Sequence, residues 1–444
     1  MGRRRKRFQP FELTVSIESL ADDTRGVARH EGKTVFVSGA LPDETVRCLV
    51  RKKRSKFDEA DLIEVIDASP DRVNPRCSAA GVCGGCSLQH MRGEAQVRAK
   101  QQVLLDSLAY IGKIAPEKVL PPLEGPHWNY RRKARLGVRV VPKKGGVLVG
   151  FREARSSYIA VLERCDILDK RFADLIAPLQ ELISMLSIAK RIPQIEVAAG
   201  DDTAMLVFRH LEPLTDEDLT RLRDFGQAYA VNIMLQPKGP DSVQPLNPEC
   251  DDLLSYRLED WNLEVQFRPT DFTQVNAGIN RLMIRQALEL LEPGKDDRVL
   301  DLFCGLGNFT LPLARTCGHV TGIEGDPALV SMARDNAARN GLANTEFITS
   351  NLYEEPLEGN WLQQKWDRIL LDPPRSGARE VIARLPELHP RRIVYVSCNP
   401  ATLARDAGIL VNEFGYTLTA AGIMNMFPHT AHVESIAVFD APVK

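Results

Sequence analysis

The chain has 444 residues, of which 44% are hydrophobic and 26% charged, and these proportions are typical of a globular protein of roughly three domains. No apolar run is long enough to span a membrane, and the basic start MGRRRKRFQPFEL lacks the apolar segment of a secretory signal, so we expect a cytoplasmic protein. The net charge of −2 conceals an asymmetry, because residues 1–57 contain 14 Lys and Arg against 7 Asp and Glu.

Short strands are predicted at the start of the chain. Apolar and polar residues alternate in four runs, separated by the turn signals DDTRG, SGALPDE and SKFDEAD: residues 11–20, 33–39, 44–52 and 61–67. This pattern predicts a small β-barrel over residues 1–68. Two basic runs, Arg3–Arg7 and Arg51–Lys56, belong to this domain. They are either solvated surface or contacts to the phosphates of a nucleic acid.

Three cysteines follow within ten residues, in the segment CSAAGVCGGC: Cys77, Cys83 and Cys86. Disulfides are not expected in a cytoplasmic protein. The spacing C-x5-C-x2-C supplies three thiolates, which suit either zinc or an iron–sulfur cluster and need a fourth ligand from elsewhere. His90 is one candidate for that ligand, more natural to zinc. A redox role without a metal stays open.

A middle domain of mixed helices and strands is predicted over residues 69–270. A helix over residues 90–111 precedes a hairpin over residues 134–153, which turns at PKKGG. The basic triplet Arg131–Lys133 stands just before this hairpin. It is either a solvated strand edge or a contact to RNA.

The pattern changes again for residues 271–444. A helix over about residues 275–291 leads into strand-like runs that alternate with helical stretches: DRVLDLFCG, HVTGIEGD, TEFITS, RILLDPP and RRIVYVSCNP. This alternation predicts a doubly wound α/β domain, whose ligands bind beyond the carboxyl ends of the strands.

The first two of these strands carry a cofactor signal. The first ends in a turn with Gly305 and Gly307, and the second ends in Glu324, 19 residues after Gly305. An acid at this spacing can hold the ribose hydroxyls of an adenosine cofactor. Together with Asp301, these residues resemble the first two motifs of class I methyltransferases, whose cofactor has no pyrophosphate and needs no third glycine.

The last parallel strand ends at Cys398, before a helix predicted to start near Pro400. A helix N-terminus favours the thiolate, although a cysteine here can also be a small buried hydrophobe. Thiolate addition at C6 of uracil turns C5 into a nucleophile, which methylation requires. A base must then remove the C5 proton. Glu434 lies among apolar residues and is the candidate base, with His429 and His432 as rivals.

Several motifs together resemble the RNA uracil-C5 methyltransferase family, over nearly the whole chain: FTQVN (Phe272–Asn276), DLFCGLGNF, DPPR, VSCNP and the terminal HVES. The resemblance implies a cysteine nucleophile at Cys398 and a glutamate base at Glu434. It also implies that S-adenosylmethionine is bound by Gln274, Phe303, Asn308, Glu324, Asn351 and Asp372.

One branch of this family modifies large-subunit ribosomal RNA, and its members carry a TRAM domain and a four-iron cluster. The resemblance therefore implies an OB-like TRAM barrel that binds RNA and a [4Fe–4S] cluster held by Cys77, Cys83, Cys86 and Cys165. It implies a substrate in 23S ribosomal RNA, at uracil 1939, and we expect a monomer. The alternatives are the same chemistry on transfer RNA or another ribosomal uridine, and a non-catalytic RNA-binding assembly factor.

Overall fold

The structure, a computed structural model, describes residues 8–354 and 356–442 of the chain. The chain divides into two compact units. The first contains Met1–Lys100, Arg152–Tyr158 and Phe427–Ala431, and the second contains Gln101–Phe151, Ile159–Met426 and His432–Lys444. The basic run Arg3–Arg7 lies outside the described residues. The division into three domains at residues 68 and 270 remains a prediction.

One six-stranded sheet forms the body of the first unit, in the order β1-β5-β6-β4-β3-β2. Its strands are β1 (Phe11–Ser16), β2 (Ser19–Leu20), β3 (Gly26–His30), β4 (Lys33–Ser38), β5 (Thr45–Lys53) and β6 (Phe57–Asp67). Alternate residues of these strands are buried, among them Val35, Val37, Val46 and Val50. β-branched side chains suit such a half-buried, pleated surface.

The sequence pattern missed two parts of this sheet. No strand was predicted at Gly26–His30, and the segment SKFDEAD, interpreted as a turn, contains the start of β6. Strand β6 begins early because it pairs with β4 in parallel, and the Phe57 ring packs edge-on against Phe36 with centroids 5.4 Å apart. This long-range contact overrides the local turn signal.

The cysteine segment lies between β6 and the first helix and contains turns without regular structure. Helix α1 (Gly93–Ser107) follows, and a π-helical turn at Leu108–Gly112 continues it. The helix predicted over residues 90–111 is therefore present but ends in a wider turn.

A second six-stranded sheet lies in the second unit, in the order β13-β12-β11-β10-β8-β9. Its strands are β8 (Lys133–Val141), β9 (Gly146–Gly150), β10 (Gln194–Ala199), β11 (Ala204–Arg209), β12 (Asn232–Gln236) and β13 (Gln244–Pro245). Three helices accompany it: α2 (Lys170–Ala173), α3 (Ile176–Met185) and α4 (Asp216–Ala228). A separate hairpin follows, formed by β14 (Leu254–Leu258) and β15 (Leu263–Phe267).

An eight-stranded sheet completes the second unit, in the order β18-β17-β16-β19-β20-β22-β21-β7. Its strands are β7 (Lys118–Val119), β16 (Arg298–Leu302), β17 (His319–Glu324), β18 (Thr345–Thr349), β19 (Arg368–Leu371), β20 (Arg392–Ser397), β21 (Thr417–Met424) and β22 (Glu434–Asp440). The helices are α5 (Ala277–Leu291), α6 (Thr310–Ala314), α7 (Pro327–Arg339), α8 (Arg379–Ile382), α9 (Leu385–Leu388) and α10 (Pro400–Asn412). The predicted doubly wound α/β fold is confirmed.

Strands β16 to β20 pair in parallel, whereas β22 is antiparallel to both β20 and β21. The carboxyl ends of the five parallel strands therefore meet at one edge of the sheet, where ligands bind in folds of this class. In the part of the chain that the structure describes, no helix is long and apolar enough to cross a membrane.

Helix α10 starts directly behind Cys398 and is held by close packing against the π-helical turn. A Cβ at Gly112 would lie 2.6 Å from the carbonyl oxygen of Ala404, and a Cβ at Gly408 would lie 3.0 Å from the carbonyl oxygen of Gly112. Two glycines thus allow the backbones of these two elements to approach.

Replacing Gly112 with alanine should lower the free energy of unfolding by about 1–3 kcal/mol, because the added methyl group collides with backbone. Gly239→Ala is the control, since a Cβ there meets no atom within 4 Å. Circular dichroism on heating compares the two variants. Equal melting midpoints for both would contradict the close approach of α10.

Candidate active site

The register of β20 and β22 brings Cys398 and Glu434 together. These strands pair from Arg392 opposite Asp440 to Ser397 opposite Ser435. Extending this antiparallel register by one residue places Cys398, which follows β20, opposite Glu434, the first residue of β22. Glu434 is only 7% exposed. The predicted nucleophile and the predicted base are therefore neighbours at the carboxyl edge of the parallel strands.

The pKa of Cys398 is raised to about 11, chiefly by burial and further by the carboxylates of Glu434 and Asp372. Arg375 acts in the opposite direction. Helix α10 begins at Pro400, so its N-terminus lies directly behind the nucleophile, as predicted. Burial opposes the thiolate there, so the cysteine must lose a proton when it reacts.

The two rival histidines lie in different surroundings. The Nδ1 atom of His432 is 3.0 Å from Nη2 of Arg375, so the arginine engages this ring. His429 belongs to the first unit, where its Nδ1 lies 3.2 Å from the amide nitrogen of Gln96 and its backbone N–H donates to the Gln96 amide oxygen at 2.8 Å. Both rings therefore have partners other than the nucleophile.

Glu324 ties the glycine turn to the end of β17. Its carboxylate accepts hydrogen bonds from the backbone N–H groups of Gly305 at 3.1 Å, Gly325 at 2.7 Å and Asp326 at 3.1 Å. Gly305 has a φ of +54°, a left-handed conformation that glycine adopts without strain. The acid thus stands beside the turn, in the place where the sequence predicted contact with a ribose.

Phe303 precedes this turn and has a φ of +66°, which is costly for a residue with a side chain. Its ring lies against the ring of Tyr353, with centroids 5.7 Å apart. Asn351 opens the loop that carries Tyr353. Its side chain accepts from the Tyr353 N–H at 3.1 Å and donates to Glu354 at 3.0 Å.

Asn308 and Gln274 are linked through residues that the sequence did not single out. The Asn308 amide oxygen accepts from the Tyr256 hydroxyl at 2.8 Å and from the Asn280 amide at 3.0 Å, and the Asn308 amide nitrogen donates back to Asn280 at 2.9 Å. Tyr256, Asn280 and Gln274 line one cavity of about 20 Å³. The one sequence signal for Asn280 is a polar residue on the buried face of α5.

Two carboxyls lie at this edge, of which Asp301 is buried and Asp372 partly buried. Burial raises the pKa of Asp372 to about 7, and burial together with the nearby Asp372 and Glu324 raises that of Asp301 to about 7. One oxygen of Asp301 accepts from the Thr310 hydroxyl at 2.5 Å, and the other has no hydrogen-bond partner among the described residues. These groups suit a ligand that is positively charged or donates hydrogen bonds.

These residues fit S-adenosylmethionine. Its sulfonium and amino groups are cationic, and its ribose donates two hydroxyls, so it matches a cradle of carboxyls around a glycine turn. All six predicted cofactor residues lie in or directly beside the loops that follow β15, β16, β17, β18 and β19. The sequence prediction thus selected residues that converge on one edge.

The cysteine segment contains thiols, the type of side chain that zinc and iron–sulfur sites use as ligands. All nine cysteines are free of disulfides. The thiol of Cys83 accepts a hydrogen bond from the Gly85 N–H at 3.4 Å, and its pKa is raised by burial and to a smaller extent by the nearby Cys77. Within the described ranges, no three His, Cys, Asp or Glu side chains are grouped closely enough to hold a metal ion.

The other two candidate ligands have different environments. Cys165 is buried in the second unit, where its N–H donates to the Ala173 carbonyl at 2.9 Å. Burial lowers the pKa of His90 to about 4, and its Nε2 has no hydrogen-bond partner among the residues described. His90 is therefore neutral, as a ligand would be.

The basic triplet Arg131–Lys133, which runs into the start of β8, is half-buried. Arg132 forms an ion pair with Asp201 at 2.5 Å, and burial lowers the pKa of Lys133 to about 8. The Lys133 ammonium donates to the carbonyl of Asp271. Arg132 and Lys133 therefore bind groups of the protein, whereas the sequence suggested a solvated strand edge as the alternative to contact with RNA.

Two family models match the chain. The model described as tRNA (Uracil-5-)-methyltransferase matches residues 96–441, and that of the TRAM domain matches residues 6–63. The relative from Bordetella avium is 53% identical over 434 residues, covering 96% of this chain and 91% of its own. The relative from Alkalilimnicola ehrlichii is 53% identical over 443 residues, covering 99% of both chains. Both are named 23S rRNA (uracil(1939)-C(5))-methyltransferase RlmD.

A solved structure is similar to almost the whole chain. The Pyrococcus abyssi tRNA (uracil-54, C5)-methyltransferase in complex with S-adenosyl-L-homocysteine has 25% sequence identity and a TM-score of 0.73. The match covers 96% of this chain and 100% of that one. The likeness therefore includes the N-terminal sheet as well as the doubly wound sheet.

The raised pKa of Asp372 predicts a pH dependence of stability. A carboxyl whose folded pKa lies near 7, above its ordinary 3.8, adds stability that is fully present below pH 3.8 and is lost as the pH rises through 7. In Asp372→Asn without cofactor, the loss of stability between pH 5 and pH 8 should be smaller than in wild type, by about 1–3 kcal/mol.

Thermal unfolding at the two pH values measures this difference. Asp335→Asn, at an exposed position on α7, is the control and should follow wild type. A wild-type pH dependence in Asp372→Asn would mean that Asp372 is already ionised at pH 5.

Proposed function

The chain belongs to the RNA uracil-C5 methyltransferase family, and we propose that it transfers a methyl group from S-adenosylmethionine to C5 of uracil 1939 in 23S ribosomal RNA. The observation that carries this proposal is the register that sets Cys398 opposite Glu434, at the sheet edge where Asp301, Glu324 and Asp372 converge. Relatives of 53% identity over almost the whole chain support the choice of RNA.

Each catalytic residue has one role in the proposed reaction. Cys398 gives up its thiol proton to solvent and adds as the thiolate to C6 of uracil, which breaks the C5–C6 double bond and places the electron pair at C5. S-adenosylmethionine, when bound, supplies an electrophilic methyl group on a positively charged sulfur. Once C5 carries the methyl, Glu434 removes the C5 proton, the double bond re-forms and Cys398 leaves.

The nearby charges support these roles. Arg375 is the cation that favours the Cys398 thiolate, and its guanidinium contacts the His432 ring. The register of β20 and β22 sets Glu434 beside Cys398, which suits a base that acts on the ring to which the cysteine adds. Gln274, Phe303, Asn308, Glu324, Asn351 and Asp372 are the proposed contacts to the cofactor.

We propose that the TRAM domain contacts the RNA. Its cations differ in whether a carboxylate of the protein already pairs with them. Arg51 pairs with Asp61, and Arg54 with Glu59 at 3.4 Å, so these two are partly neutralised. Lys52, Lys53 and Lys56 are exposed. We propose that these lysines contact phosphates, which sequence-independent binding of RNA requires.

The alternatives differ in substrate or in catalysis. The same chemistry on transfer RNA has support in the similar structure from Pyrococcus abyssi, a tRNA (uracil-54, C5)-methyltransferase. A non-catalytic assembly factor would not need Cys398 and Glu434 in register. Mapping 5-methyluridine in total RNA from a deletion strain separates these cases. We propose a cytoplasmic location, and a monomeric state stays a prediction.

Two substitutions separate the catalytic roles. Cys398→Ala should abolish turnover and form no covalent link to RNA, because C5 cannot be activated. Glu434→Gln should still add Cys398 to C6, and then accumulate a protein–RNA adduct whose base carries a new methyl, because the C5 proton stays in place. A denaturing gel with RNA and S-adenosylmethionine, followed by mass analysis of the shifted band, detects this adduct.

Glu413→Gln, at an exposed position just after α10, is the control and should turn over like wild type. If Glu434→Gln turns over near the wild-type rate without an adduct, His432 or His429 becomes the candidate base. Production of 5-methyluridine by Cys398→Ala would overturn the covalent mechanism.

We further propose that Cys77, Cys83, Cys86 and Cys165 hold a [4Fe–4S] cluster. The support is the type and spacing of three disulfide-free thiols, the N–H to sulfur hydrogen bond at Cys83 and the resemblance to the family branch that carries such a cluster. We propose a structural role, because three of the four ligands lie far in sequence from the catalytic residues.

Protein purified without oxygen should therefore contain about four iron and four sulfide per chain. Cys86→Ser should lose most of the iron, whereas the control Cys250→Ser should retain it. Elemental analysis and the brown absorbance measure the content. One zinc per chain with no iron would refute the cluster and make His90 a candidate ligand.

A further inference from the structure

Tyr353 has no part in the chemistry described above, yet it connects its own loop to two other loops at the catalytic edge. It lies in the loop that follows β18, and its ring packs against Phe303 in the loop after β16. Its hydroxyl donates to the Gly377 carbonyl at 3.1 Å and accepts from the Ser376 hydroxyl at 3.0 Å, both in the loop after β19. Tyr353 is 39% exposed, so it stands at the surface of the site.

The loop that Tyr353 holds also carries Arg375. The Arg375 guanidinium contacts His432, and its backbone carbonyl accepts from the Asn399 side chain at 3.0 Å and the Thr402 hydroxyl at 3.3 Å. Asn399 directly follows the nucleophile, and Thr402 lies on the first turn of α10. The backbone of this loop is therefore tied to the residues that follow Cys398.

Contacts from α10 hold the other side of the same loop. Arg405 donates to the Ser376 carbonyl at 3.0 Å, and Asp406 accepts from the Ala378 N–H at 2.9 Å. Gly377 has a φ of +81°, and a Cβ there would lie 2.6 Å from Asp406. The loop thus lies between α10 and the Tyr353 hydroxyl, with little room to shift while both contacts persist.

Three charged groups act on Cys398 from the elements around it. The carboxylates of Glu434 on β22 and Asp372 after β19 disfavour the thiolate, and Arg375 favours it. Arg375 is thus the cation that opposes two carboxylates, and its placement matters for the reactivity of the thiol.

We propose that Tyr353 is a positioning residue for the nucleophile: its hydroxyl holds Ser376 and Gly377 so that Arg375 stays beside Cys398, while its ring supports Phe303 at the cofactor. The catalytic meaning of this inference rests on the proposed function. Its physical effect on Cys398 can be measured without RNA.

The test uses Tyr353→Phe, which keeps the ring and removes both hydroxyl contacts. In the full-length protein without RNA, iodoacetamide should alkylate Cys398 about three- to tenfold more slowly than in wild type between pH 7 and pH 9, because one such contact is worth about a factor of this size. Peptide mass spectrometry follows Cys398, and Cys250 in the same digest is the internal control, whose rate should not change.

A double substitution tests the route through Arg375. Arg375→Gln alone should slow the alkylation of Cys398. Adding Tyr353→Phe to this variant should slow it no further, because the loop then carries no guanidinium that Tyr353 could position. An equal slowing by Tyr353→Phe in both backgrounds, or a wild-type rate in Tyr353→Phe alone, would overturn the proposal.

The cofactor provides an independent readout. Tyr353→Phe should bind S-adenosylmethionine as wild type does, whereas Tyr353→Ala should bind it more weakly, because Phe303 loses its neighbour. Equal affinity for S-adenosylmethionine in Tyr353→Ala and wild type would contradict the proposal that the Tyr353 ring supports Phe303 at the cofactor. If wild type methylates no RNA but the alkylation rates follow this pattern, the proposed function fails and the role of Tyr353 stands.

Discussion

The antiparallel pairing of β22 with β20 is the constraint on which the active site depends. In a parallel sheet, side chains at the catalytic edge come from the carboxyl ends of strands, as Cys398 does. Glu434 is instead the first residue of its strand, and it reaches the same edge because β22 runs in the opposite direction. A slip of one residue would turn Glu434 to the other face of the sheet, so the buried apolar neighbours that fix the register also fix the chemistry.

Burial gives this edge a second property, since it disfavours the charged forms of the acidic groups there. The pKa values of Asp301 and Asp372 are raised to about 7, and that of Cys398 to about 11. A cation lowers the pKa of every acid around it, so a positively charged ligand is stabilised by two carboxyls and also favours the thiolate. The unliganded site is therefore in a resting state, and binding a cationic methyl donor moves it toward reactivity.

The sequence revealed the residues at strand ends and missed those that depend on distant contacts. Cys398 and Glu324 could be predicted because a buried strand followed by a turn defines the edge, and Asp372 because of the family resemblance. Tyr256 and Tyr353 contact the site only through the tertiary fold, and no local pattern marks them. At Cys398 the sequence indicated the helix N-terminus, which favours the thiolate, whereas the burial that favours the thiol follows from the tertiary fold.

The proposed cluster would depend on the protonation of its cysteines, because thiols that bind metal must lose their protons. At Cys83, burial favours the protonated thiol while the Gly85 N–H favours the thiolate. A cluster held there would be bound by the thiolate, so its binding would release the proton that burial retains. The local fold around Cys83 therefore bears on how readily this thiol could serve as a ligand.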